Sequence, residues 1–170
     1  MSVDFFVLKK KFMLKKMLIF GKYLVVFLLT PRPSSSLVLL SSLPGWEPML
    51  GFQLENLLLK NRPLLYQALG IYVQDVVIDN PYFQKASGRK KGCQIDYLIQ
   101  MRSNIFFVCE VKMRRRELGL EVIDAMKTKI ACLKLPKGFG ISPVLFHLGP
   151  VSDALLSSRY FYRIVDIADL

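Results

Sequence analysis

The segment Ile105-Phe-Phe-Val-Cys109 is apolar at every position, rich in the residue types that favour extended chain, and runs directly into Glu110-Val111-Lys112. A strand has two faces, so one that is apolar on both must lie centrally in a sheet covered above and below. A charged Glu-x-Lys triplet at the exit of such a strand sits at the rim of a dry interior.

The neighbouring segments supply the rest of that sheet and its cover. Gln94 to Met101 is a second extended run, and the polar Arg102-Ser103-Asn104 between the two reads as a hairpin turn. Val73 to Asn80 reads as a strand stopped by Asn80-Pro81, with Pro81 to Gly92 a polar, basic loop. Gly51 to Ala68 has Leu54, Leu57, Leu58 and Leu65 at helical spacing, with Pro63 starting or kinking a second piece and Gly70 ending it. Leu118 to Leu133 is a second helix, with Val122, Met126, Ile130 and Leu133 on one side and Glu121, Asp124 and Lys127 away from it. Ser142 to Leu148 returns as a strand, Ser152-Asp153 opens a short helix, and Tyr160 to Ile167 reads as a terminal strand. The predicted class is α/β, a mixed sheet flanked by helices.

Composition narrows the alternatives. The 170 residues are 52% hydrophobic and 22% charged, which excludes a disordered tail, a collagen-like fibre and an acidic solvating segment. Cys93, Cys109 and Cys132 are widely spaced and His147 is the single histidine, so disulfide scaffolds and zinc ribbons are excluded too. An odd number of scattered cysteines suits a reducing, cytoplasmic setting. The net charge of +11 is uneven: residues 1 to 45 contribute +6 and residues 46 to 170 contribute +5. A basic balance points to polyanions, either nucleic acid or an anionic membrane surface.

Residues 1 to 45 form a separate leader and linker. Five lysines between Lys9 and Lys16 precede an apolar run from Met17 to Leu29, and Pro31 to Ser36 breaks the chain before a boundary near Trp46. Thirteen residues make a helix of about 20 Å, short for a hydrocarbon core of about 30 Å, so a membrane span is not expected. The open readings are a helix whose apolar side needs a partner, a signal or anchor, and the remnant of a preceding module. Residues 46 to 170 are read as the functional domain.

Chemistry concentrates at the hairpin. Centred on Ser103, it sets Asp96 seven residues before the turn and Glu110 seven after, facing each other with Cβ atoms about 5 Å apart. Lys112 falls on the same face. Two such carboxylates repel unless a cation or proton joins them, and Mg²⁺ (or Mn²⁺) uses one or two carboxylates together with waters and phosphate oxygens. A neighbouring lysine can then orient or activate the attacking water and neutralise a phosphate, which outlines phosphodiester hydrolysis. A Glu-x-Lys triplet alone arises by chance about 0.6 times in a chain this long, so its placement is what carries the signal. The bland alternative is a solvated strand-end ion pair with Asp96 as a turn acid.

These residues resemble the PD-(D/E)xK restriction-endonuclease-like superfamily, whose core is a helix, three strands, a helix and a strand. Gly51-Phe-Gln-Leu-Glu-Asn, Gly92-Cys-Gln-Ile-Asp-Tyr, Cys109-Glu-Val-Lys, Leu135-Pro-Lys-Gly-Phe and Gly149-Pro-Val-Ser-Asp resemble the C-terminal nuclease-like domain of archaeal-type AAA+ ATPases, which is also found in bacteria. The resemblance implies Asp96 and Glu110 as metal ligands with the Val111 carbonyl as a third, Lys112 serving the nucleophilic water, and Glu55 as the supporting helix acid. It departs from the family in having Ile95 where the first motif's proline stands, and no GxxxxGK[ST] occurs in the chain. ATP binding is therefore not expected, while a partner ATPase module or a homo-oligomer stays open.

Lys85, Arg89, Lys90 and Lys91 before the hairpin and Arg114, Arg115 and Arg116 after it frame one groove in this reading, with Lys127 and Lys129 as further phosphate contacts or a plain exposed helix face. Tyr72, Tyr82 and Phe83 read as packing residues, His147 as a satisfied core histidine and Cys109 as core. The expected function is a metal-dependent nuclease-like domain acting on DNA; the alternative is a catalytically silent DNA- or protein-binding module.

Overall fold

Glycine and proline punctuate the first helical stretch as their chemistry requires. A computed structural model of the chain describes residues 46–88 and 92–170. Helix α1 spans Trp46–Lys60 and α2 spans Arg62–Leu69, with Pro63 in the first turn of α2, where its missing N–H breaks no helical bond. Gly70 closes α2 in the left-handed conformation, φ 68°, and donates its N–H to the Gln67 carbonyl. The leader, with its anchor and remnant readings, and Arg89, Lys90 and Lys91 lie outside the described residues.

Five strands follow: β1 Val76–Gln84, β2 Cys93–Met101, β3 Ile105–Met113, β4 Gly140–Leu148 and β5 Arg163–Asp166, lying side by side in that order. The first three pair antiparallel, and β3, β4 and β5 pair parallel. Parallel pairing needs crossovers, which α3 (Glu121–Cys132) and α4 (Asp153–Ser157) supply. β3 is the middle strand, buried from Phe106 to Val111.

Two apolar layers enclose it. Leu54, Leu58, Leu65 and Leu69 of α1 and α2 pack on Tyr97, Ile99, Phe107, Cys109, Val111 and Phe146. Val122 and Met126 of α3 and Leu155 of α4 pack on Ile95, Val108 and Leu145 from the other side. The fold is α/β, a mixed five-stranded sheet flanked by helices, and its core order of helix, three strands, helix and strand is the one expected.

Several boundaries differ from the sequence reading, α1 beginning at Trp46 and the fourth strand at Gly140, each earlier than expected. β1 begins after a short 3₁₀ turn at Val73–Asp75 and continues through Asn80-Pro81 to Gln84. It is an edge strand, and Pro81 sits at a register irregularity, where a residue without an N–H costs the ladder nothing. α3 begins at Glu121 because Leu118 bridges Val151 and donates its N–H to the Pro150 carbonyl. β5 begins only at Arg163, the residues before it being held by ring contacts such as Tyr160 on Phe161. Among the described residues no helix is long and apolar enough to cross a membrane.

Candidate metal centre at the end of the central strand

The pairs Tyr97↔Cys109, Leu98↔Val108, Ile99↔Phe107 and Gln100↔Phe106 centre the hairpin on Ser103, as the turn chemistry predicts. This regular ladder stops one pair short of Asp96 and Glu110. On the other side of β2, Asn80 faces Leu98 but Tyr82 faces Ile95, so Asp96 and Tyr97 together stand opposite the single residue Pro81. That is a β-bulge, and the expected simple facing of Asp96 and Glu110 across the ladder gives way to it. Asp96 instead turns its carboxylate onto β3, where Oδ2 accepts the Val111 N–H at 2.8 Å.

The second residue of the bulge is held from behind. The Tyr97 hydroxyl donates to Asp79 Oδ2 at 2.7 Å, the Tyr66 hydroxyl donates to the same oxygen, and Arg62 Nη1 lies 2.9 Å from Asp79 Oδ1. Burial, then the bond to Asp79, pushes the Tyr97 phenol far above its ordinary range, so it stays a donor.

Glu110 follows Cys109 on the opposite face of β3 and is 1% exposed. Its Oε1 lies 2.5 Å from Lys112 Nζ, two residues along the same strand. Lys129 of α3 places its Nζ on Glu110 Oε2 and 3.5 Å from Asp96 Oδ1, so one ammonium touches both acids. Oε1 is held by this charge contact with Lys112 and Oε2 by Lys129, so an ammonium stands at each oxygen of the buried carboxylate.

Electrostatics set these acids apart from surface carboxylates. Burial first, then the Glu110 charge, raises the Asp96 carboxyl above its usual range, against the pull of Lys129, the Val111 N–H and Lys112. Glu55 of α1 is half-buried, and its carboxyl is raised by burial and then by the Asp96 charge, with Lys129, Glu110 and Lys112 also acting on it. Three acids from a helix and two strands thus share one field with two lysines.

No family model matches the chain, and no curated protein matches it. Among solved structures it is similar to the crystal structure of a repair endonuclease from Pyrococcus abyssi, with 18% sequence identity and a TM-score of 0.43 over 67% of this chain and 45% of that one. The matched region spans less than half of that chain's length.

The donor set suits a hard divalent ion. Asp96 and Glu110 offer carboxylate oxygens, the ligand type such an ion takes. Among the described residues no three His, Cys, Asp or Glu side chains converge as a ligand group. A shell built here needs backbone and water oxygens as well, which is how Mg²⁺ is ordinarily held.

The structure therefore links Asp96, Glu110, Lys112 and the Val111 backbone, with Glu55 within the reach of their charges. Lys129 is the site residue that the sequence reading left on an exposed helix face. Its signal was available: it lies three residues after Met126 and seven after Val122, inside the buried stripe of α3. Lys127, named beside it, is exposed, pairs with Asp124 at 3.5 Å and lies 5.9 Å over the Tyr160 ring. Lys85, Arg114, Arg115 and Arg116 are exposed, and Arg114 lies 3.6 Å from Glu121. Tyr72 and Phe83, expected to pack, are 69% and 66% exposed, because the 3₁₀ turn and the edge strand leave them uncovered. His147 is buried with Nδ1 3.0 Å from the Gly149 carbonyl, and Cys109 is wholly buried, its thiol pushed up by burial and then by the Asp96 charge.

Proposed function

We propose that this chain is a metal-dependent nuclease-type domain acting on DNA. The observation that carries the reading is the meeting of Asp96, Glu110 and Lys112 at the end of the buried central strand, with one acid almost wholly withdrawn from water. A buried acid needs a cation or hydrogen bonds to offset its lost hydration, and a divalent ion shared by the pair would supply that charge. Asp96 and Glu110, with the Val111 carbonyl, would hold Mg²⁺ or Mn²⁺, which supplies polarisation of the scissile phosphate. Lys112 orients the attacking water from its place beside Glu110, and Glu55 adds negative charge from α1 that strengthens the hold on the cation. Lys85, Arg89 to Lys91, Arg114 to Arg116 and Lys127 neutralise backbone phosphates.

The resemblance of Gly51 to Asn56, Gly92 to Tyr97 and Cys109 to Lys112 to the nuclease-like domain of archaeal-type AAA+ ATPases supports the reading and makes an ATPase module the natural partner. On the same reading the chain works in the cytoplasm, with its cysteines as thiols.

Nicking of supercoiled plasmid in Mg²⁺ or Mn²⁺ tests the proposal. Asp96→Ala and Glu110→Gln should each abolish it while circular dichroism stays unchanged; undiminished nicking in both would refute it. A second reading, a silent binding module, is favoured by the two ammonium groups that already neutralise the pair. Salt-sensitive DNA binding without turnover would select it.

A further inference from the structure

Helix α3 turns one stripe to the sheet. Val122 and Met126 in it are buried at 1% and 0% exposure, and Lys129 continues the stripe one helical turn later. A lysine in that position loses much of its hydration and needs acids to offset the loss. Its ammonium has two, touching Glu110 Oε2 and lying 3.5 Å from Asp96 Oδ1.

The remaining oxygen of each acid is turned elsewhere. Asp96 Oδ2 accepts the Val111 N–H, and Glu110 Oε1 faces Lys112. The oxygens through which one cation reaches both acids, Asp96 Oδ1 and Glu110 Oε2, are the two that Lys129 holds. From this placement we infer that Lys129 is a built-in competitor of the divalent ion, a tethered cation that keeps the two acids together in its absence and must leave before an ion can be shared between them. The inference rests on the proposed reading of the pair as a metal site. A lysine suits the task because its charge is a compact head on a flexible four-carbon stem. With 22% of its side chain exposed, Lys129 has a route out to solvent while its stem stays on the helix.

The competition sets a trade that an experiment can read. Lys129→Met keeps the stem length and removes the charge, so Mn²⁺ should bind at least about tenfold tighter than to wild type, since it no longer displaces an attracted ammonium. In EDTA the same variant should melt at a lower temperature than wild type, and saturating Mn²⁺ should restore it by more than it raises wild type. Lys129→Gln is the second neutral variant and should behave alike, whereas Lys129→Arg retains a cation and should stay near the wild-type affinity. Free Mn²⁺ is read by its paramagnetic resonance signal during titration, with Glu110→Gln added to each background to assign the site. Neutral variants that bind Mn²⁺ no more tightly than wild type would overturn the inference, and loss of that binding on Glu110→Gln would leave the metal-site reading standing. Absence of binding to wild type and neutral variants alike would overturn both.

Discussion

Asp79 is the residue through which the fold positions the site, and its removal gives a worked test. Its carboxylate accepts two tyrosine hydroxyls, from Tyr97 at 2.7 Å and from Tyr66, and pairs with Arg62 at 2.9 Å. Hydrogen bonds to a charged partner are worth about 1.5 to 3 kcal/mol each, and stranding the donors costs their desolvation as well. The Arg62 side chain is 41% exposed, so its share is discounted to about 0 to 1 kcal/mol. Asp79→Ala should therefore cost about 3 to 6 kcal/mol, a large part of a stability of about 5 to 15 kcal/mol. Urea unfolding followed by fluorescence measures it. Tyr97→Phe removes one donor and should cost about 1 to 3 kcal/mol, with a double-mutant cycle showing strong coupling to Asp79. Because Tyr97 is the neighbour of Asp96 in the bulge, Tyr97→Phe should also weaken metal binding without touching an acid. A loss below about 1 kcal/mol for Asp79→Ala, with additive energies in the cycle, would refute the claim that this network braces the bulge.

Other outcomes follow from single features. Gly149 has φ 128°, and a Cβ there would lie 2.0 Å from the Arg114 carbonyl oxygen, so Gly149→Ala should destabilise by about 2 kcal/mol or more in the same urea assay. Burial, then the Glu110 charge, raises Asp96, so the folded chain binds this proton at a higher pH than the unfolded chain does. Its contribution makes stability fall as pH rises from about 4 through the raised value, and Asp96→Asn should flatten that part of a urea-midpoint against pH curve. An unchanged slope would contradict the assignment. Replacing Arg114, Arg115 and Arg116 together by alanine should lower the salt slope of DNA binding by about 0.9 for each arginine that meets a phosphate, and an unaltered slope would remove them from the interface.

How much of this was legible in the sequence depended on whether the signal was local. The Arg102-Ser103-Asn104 turn and the two-faced apolar run of β3 are local, and both the hairpin centre and the middle position of β3 emerge as read. Pro81 was read as a stop because proline is unfit for an inner strand, but β1 is an edge strand, and a position in the sheet is not written in nine residues. The bulge at Asp96 and Tyr97 was equally hidden, since it depends on how Pro81 fails to pair on the neighbouring strand. Lys129 was different. Its spacing from Val122 and Met126 was visible, but a lysine on a helix reads as solvent-facing until something acidic lies beneath it. Lys127, one residue beyond Met126 and outside the stripe, sits away from the acids.

The central claim is that Asp96 and Glu110 are held together to share a divalent ion. Calorimetric titration of Mg²⁺ into wild-type protein and into the Asp96→Ala, Glu110→Ala double variant tests it most directly. The account predicts saturable binding of one ion to wild type and none to the double variant. Equal heats for the two proteins would contradict it.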